Sequence, residues 1–144
     1  MLSTTDVIND LRNHRQVCAE ITMIENVLHK MQNDSPHMRY NRAVLERHSD
    51  ELLLKTETVE SWLQLLTTEE LFLVRTHLIQ GLDWAKTIVE HERMWGIMNG
   101  RSERTLKRIQ SKAVDRIVAC MNQIESLSQT ETKEIGRASC RERV

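Results

Sequence analysis

Proline occurs once and glycine four times in 144 residues, and β-branched runs are short. Both residues interrupt helices, proline by removing a backbone donor and glycine by its conformational freedom. Their scarcity predicts a mostly helical chain, of the all-α class. No apolar run approaches the roughly 20 residues that a bilayer-spanning helix needs, so no membrane partner is expected. The first residues, MLSTTDVIND, lack a basic start and an apolar block. No signal peptide is expected there, and the expected compartment is the cytoplasm. Cys18, Cys120 and Cys140 are odd in number, far apart and form no C-x-x-C pair. They support neither a disulfide framework nor a zinc site.

Motifs that carry chemistry are missing as well. His91–Glu92 does not begin H-E-x-x-H, because residue 95 is Trp, and His77 stands alone. No glycine-rich phosphate loop is present, and no Ser or Cys nucleophile sits in a recognisable setting. The acidic pair Glu69–Glu70 suits the positive end of a helix better than acid–base chemistry. The expectation is no enzyme, no catalytic residue, no metal site and no cofactor.

What the chain does have is helical periodicity. Hydrophobic residues make up 40% and charged residues 28%, as in a folded soluble protein, and the length suits one domain or a small domain with an extension. Over Thr5–Asn33, Val17, Ile21, Ile24, Leu28 and Met31 recur at alternating steps of four and three, the seam of a coiled coil or hairpin. Val7, Leu11 and Cys18 extend that stripe weakly, and His14 lies in it. The single proline, Pro36, falls in the turn cluster NDSPH. A second helix is expected from Met38 or Arg39 to Leu66, with Leu45, Leu52, Val59 and Leu66 seven apart and Trp62 and Leu63 thickening its end. A short loop between matching seams predicts an antiparallel hairpin. Thr56–Thr58, a Thr-Glu-Thr run, leaves open whether residues 38–66 form one helix or two. The seam either zips these helices within one chain or pairs them between chains as a homodimer.

Thr67 with Glu70 three residues on forms a capping box. It opens a third helix, expected through Gln80, with Leu71, Val74, Leu78 and Phe72 inward and Gly81 as its stop. Asp83 caps a fourth helix, Trp84 to about Trp95, with Trp84, Ile88 and Trp95 expected inward. Trp62, Trp84 and Trp95 all read as packing residues. Gly96–Gly100 is expected to be a loop.

Ser102 then caps a basic amphipathic helix. Leu106, Ile109, Ala113, Ile117, Val118 and Met121 form its apolar stripe, and Arg104, Lys107, Arg108, Lys112 and Arg116 its other side. From Arg101 to Arg116, six Lys/Arg against two acids give +4, in a chain of formal net charge -1. From Asp6 to Glu60, ten acids against seven bases give -3, which keeps the hairpin off nucleic acid and leaves it for dimerisation or for RNA polymerase.

The second half follows the order helix, glycine turn, helix, loop, basic helix. Leu66–Glu70 (L-T-x-x-E), Gly81–Trp84 (GLDW), and Ser102, Thr105, Leu106, Lys112 and Ala113 together resemble region four of bacterial sigma factors. Over roughly Val59–Ile124 the chain resembles small phage-encoded activators of the ArpU/RinA type. The segment from Gly81 to Ser102 is longer than the compact turn of most such modules. The resemblance implies a helix-turn-helix module, residues 67–133, behind an N-terminal helical hairpin, residues 1–66. It also implies regulation of phage late-gene promoters, with double-stranded DNA and RNA polymerase as partners. Arg101, Ser102, Glu103 and Arg104 occupy the helix start, where base-reading residues sit. Lys107, Arg108, Lys112 and Arg116 are then phosphate contacts. The competing expectation is a helical adaptor or phage packaging accessory without direct DNA binding.

Ile135–Val144, IGRASCRERV, resembles a common short-read sequencing adapter translated in frame. Residues 134–144 are therefore expected to be a non-native tail.

Overall fold

The computed structural model describes residues 1–31 and 36–142, with side chains described through residue 129. Among the described residues the fold is all-α, with no strand. Its helices are α1 (Thr4–Lys30), α2 (Pro36–Leu63), α3 (Thr68–Leu73), α4 (Trp84–Trp95) and α5 (Glu103–Glu142). A π-helical turn, Val74–Ile79, continues α3, and a 3₁₀ turn, Ile97–Asn99, precedes α5.

Each start carries a local chemical reason. Ser3 and Asp6 form a capping box on α1, the Ser3 hydroxyl accepting from the Asp6 N–H and the Asp6 carboxylate from the Ser3 N–H. Pro36 opens α2, a position where its missing N–H would have no intrahelical partner. The expected turn at Asn33–His37 lies mostly outside the described residues. α2 starts earlier than Met38, ends at Leu63 rather than Leu66, and runs unbroken through Thr56–Thr58. Thr56 and Thr58 donate their hydroxyls to the carbonyls of Leu53 and Leu54, at 2.8 Å each. Those bonds satisfy the hydroxyls inside the helix, so the Thr-Glu-Thr run does not break it.

α1 and α2 run antiparallel. Arg42 donates to the Met31 carbonyl near one end, and His14 meets Glu60 at 3.2 Å toward the other. Ile21, Leu52 and Val59 of the expected seam are buried, and Val17, Ile24, Leu28 and Leu45 are half-buried. Val7 and Leu11, weak members of the seam by sequence, are among the most deeply buried residues, whereas Cys18 is exposed. The reason is that their end of α1 meets more than α2. Val7 and Leu11 share one core with Val59, Trp62 and Leu63 of α2, Val74 and Leu78 of the π turn, and Ala113, Val114 and Ile117 of α5. Each such fully buried aliphatic side chain stabilises the fold by about 1.5–3 kcal/mol relative to leaving it exposed. The chain start is also fastened to α5: Asn122 accepts from the Leu2 N–H at 3.0 Å and donates to the Leu2 carbonyl at 3.1 Å.

The third helix reaches Ile79 but changes pitch at Val74. Gln80 N–H bonds the Arg75 carbonyl, five residues back, and Leu82 N–H bonds that of Thr76. Gly81 ends the segment at φ +75°, a left-handed conformation that costs L-residues energy. Asp83 caps α4 by accepting from the Lys86 N–H at 2.8 Å. Inside α4, the buried residues are Thr87 and His91, whereas Trp84, Ile88 and Trp95 are half-buried. The aromatic rings lie across the edge of the core and stack on histidines there. Among the described residues, no helix is long and apolar enough to cross a membrane.

Candidate nucleic-acid interface

The basic helix begins where its cap directs it. The Ser102 hydroxyl accepts from the Thr105 N–H at 3.3 Å and contacts the Thr105 hydroxyl at 3.0 Å. Its carbonyl takes the Leu106 N–H at 3.0 Å. The inner face of α5 buries Leu106, Ala113, Val114 and Ile117, with Ile109, Val118 and Met121 half-buried. Apart from Val114, that is the stripe read from the sequence. Anchoring this face leaves Arg104, Lys107, Arg108 and Lys112 exposed.

Glu69 and Glu70 at the start of α3 hold the two ends of the basic stretch. Glu70, buried to 5% exposure, completes the capping box by accepting from the Thr67 N–H at 2.9 Å, and also accepts from the Arg116 guanidinium. Glu69 accepts from Arg101 Nε at 2.6 Å and from His91 Nε2 at 3.0 Å. Burial on its own would raise both carboxyls. Hydrogen bonds from His91 and Arg101 to Glu69, and from Thr67 and Arg116 to Glu70, more than offset it, so both titrate below the ordinary glutamate value. These acids therefore act as receptors for cations of the same chain.

The residues expected at DNA consequently separate into groups. Arg101 and Arg116 are ion-paired with Glu69 and Glu70. Ser102 is occupied as a cap. Glu103 pairs with Lys107 at 3.5 Å, and the Lys107 ammonium also lies 5.9 Å from the centroid of the Trp84 ring. Arg104, Arg108 and Lys112 form no ion pair among the described residues. Successive members are four residues apart, so they make one line along the exposed side, about 12 Å long at 1.5 Å per residue. Asp115 lies on the same exposed side, three residues beyond Lys112.

Two aromatic clusters join α4 to the segment before it, and composition alone did not reveal them. His77 stacks on Trp84, with centroids 3.9 Å apart, and donates from Nδ1 to the Leu82 carbonyl at 2.9 Å. Burial lowers the His77 pKa, the Leu82 carbonyl opposes that shift, and the cations Arg12 and Lys107 reinforce it, with Asp83 opposing weakly. His91 stacks on Trp95 at 4.6 Å, and Phe72 meets the Trp95 ring edge-on at 5.0 Å. The sequence signal for this second cluster was the adjacent Glu69–Glu70 pair, whose carboxylates face a histidine and two arginines as well as the helix end. Among the described residues, no group of three or more His, Cys, Asp or Glu side chains is placed to hold a metal ion.

No family model, curated protein or solved structure matches the chain. The functional reading therefore stands on the residues themselves.

Proposed function

We propose that the chain is a DNA-binding transcriptional regulator of the phage type, which lays α5 against duplex DNA. The observation that carries this reading is the line Arg104–Arg108–Lys112. These cations remain outward on a helix whose other described cations, Lys107 and Arg116, are ion-paired within the protein, and whose opposite face is fixed in the core. Such a line supplies phosphate contacts, and a helix rigidly held by one face suits entry into the major groove. The order of α3, the glycine turn at Gly81, α4 and α5 supports it, together with the resemblance to sigma region four. Arg101 and Arg116 serve in this reading to hold the helix in place, and Arg104 is the residue nearest the base edges. RNA polymerase is the further partner that the reading implies, and the site of action is the cytoplasm.

One observation favours a second reading, a helical adaptor that contacts protein rather than DNA. Ile97 and Met98, in the turn that leads into α5, are 80% and 97% exposed. A protein partner would cover them.

Fluorescence anisotropy with a short duplex, measured across a salt series, separates the two. The wild-type chain binds at low salt, with log affinity falling linearly against log salt. The Arg104→Ala/Arg108→Ala/Lys112→Ala variant loses affinity and its slope shrinks by roughly 2 to 3 units, about one for each lost phosphate contact. Absence of binding at low salt, or an unchanged slope in the triple variant, overturns the DNA reading.

A further inference from the structure

The α1–α2 hairpin has an open groove of about 510 Å³ along one face. Val17 and Leu52 line its apolar part. Asp10 and Glu20 stand on the α1 wall, and His48 and Lys55 on the α2 wall. The α1 wall thus carries two carboxylates and the α2 wall the Lys55 ammonium, with His14 facing Glu60 and His48 facing Glu51, and Asp10, Glu20 and Lys55 have no ion pair among the described residues. The same face continues toward the end of the hairpin as an apolar surface. Met23 and Val27 follow Glu20 at helical steps of three and seven, and Val44 and Tyr40 precede His48 at steps of four and eight. All four are exposed, Met23 to 67% and Tyr40 to 70%.

A face with unpaired carboxylates on one wall, an unpaired ammonium on the other and an apolar end is complementary to itself. A two-fold axis parallel to the hairpin places α1 of each copy opposite α2 of the other, and keeps every residue at its own height. The antiparallel register fixes those heights. Contacts pair Met31 with Arg42 and His14 with Glu60, and their numbers sum to 73 and 74, so Glu20 stands level with Leu53 and Leu54 and Lys55 lies only about 1.5–3 Å further along the axis. Across the axis, Glu20 of one copy therefore comes within side-chain reach of Lys55 of the second copy, twice by symmetry. The exposed apolar side chains of the two hairpins close over each other beside this charged layer. We propose that this face binds a second copy of the chain, making a four-helix bundle of two hairpins. The proposal does not depend on the DNA reading.

The test exchanges charges between chains and reads mass by light scattering over a dilution series of the full chain. The wild type is expected to dimerise. E20K sets two ammonium groups, and K55E two carboxylates, against each other across the axis, so each variant alone weakens dimerisation about tenfold or more. An equimolar mixture of the two variants restores a dimer, since every facing pair is again opposite in sign. Contacts within one chain cannot produce that rescue. Circular dichroism checks that each variant is folded. A second variant, Tyr40→Ser/Val44→Ser, carries no charge change and is expected to be a helical monomer at concentrations where the wild type is dimeric. A monomeric wild type, variants that dimerise as well as the wild type, or a mixture that stays monomeric overturns the proposal.

Discussion

Replacing Glu70 by alanine tests whether one buried carboxylate joins α3 to α5. In the native fold its Oε1 accepts from the Thr67 N–H at 2.9 Å and from the Arg116 guanidinium, and the residue is 5% exposed. Alanine removes the return half of the capping box, worth about 1 kcal/mol. It also removes a charge-assisted hydrogen bond, worth about 1.5–3 kcal/mol when both partners are desolvated. Arg116 is 47% exposed and regains water when released, so the lower end of that range applies. The sum is about 2–3 kcal/mol, or roughly 6–10 °C in Tm for a chain of this size. Thermal unfolding followed by circular dichroism reads it directly. A double-mutant cycle with Arg116→Ala should return a coupling of about 1 kcal/mol, because each single change already breaks the shared bond. The pH dependence gives an independent sign. The folded Glu70 pKa lies below the ordinary 4.5, so its contribution is complete above that value and is lost as pH falls through the lower, folded one. Glu70→Ala lacks that part of the acid sensitivity. A variant within about 0.5 kcal/mol of wild type, or a coupling near zero, refutes the bracket as a source of stability.

Other changes test other parts of the fold. Arg116→Ala should lower Tm yet leave the salt slope of duplex binding as in the wild type, whereas Arg108→Ala should leave Tm in place and reduce the slope by about one unit. Gly96 has φ +87° and ψ 155°, a region almost confined to glycine, and no atom blocks a methyl group there. Gly96→Ala should therefore cost about 1–3 kcal/mol in urea unfolding, from backbone strain alone. Ile117, fully buried in the shared core, should cost about 2–5 kcal/mol as alanine. The His77 pKa is lowered from 6.5, so the folded state resists its protonation, and stability should fall as pH drops below 6.5 toward the folded value. His77→Phe, which keeps a ring on Trp84, should show a smaller loss over that window.

Much of the fold was legible because its signals are local. The capping residues Thr67, Asp83 and Ser102, the stop at Gly81 and the stripe of α5 depend on neighbours within one or two turns. The antiparallel hairpin followed from two matched seams and a short connection. What escaped depends on residues distant in sequence. Val7 and Leu11 looked marginal because their partners, Val74, Leu78 and Ile117, lie more than sixty residues away. The pitch change at Val74 has no propensity signature. His91 and Thr87, rather than Trp84 and Trp95, occupy the deepest positions of α4, where Thr87 donates to the Asp83 carbonyl and His91 meets the Glu69 carboxylate of α3. At the candidate interface, periodicity placed all the cations of α5 outside the core. It could not separate Arg116, which meets an acid on another helix, from Arg108, which meets none among the described residues.

The grip of Glu69 on Arg101 and Glu70 on Arg116 also bears on the thermodynamics of any encounter. Two fastenings, at Arg101 just before α5 and at Arg116 within it, prevent α5 from rolling about its own length. The azimuth of the Arg104–Arg108–Lys112 line is therefore set before a partner arrives. No helix has to form and no segment has to reorient on contact, so association is charged mainly with stilling a few long side chains, about 0.5–1.5 kcal/mol each. Calorimetry of such an encounter would show a heat-capacity change set by the contact surface alone, without the larger signature of coupled folding.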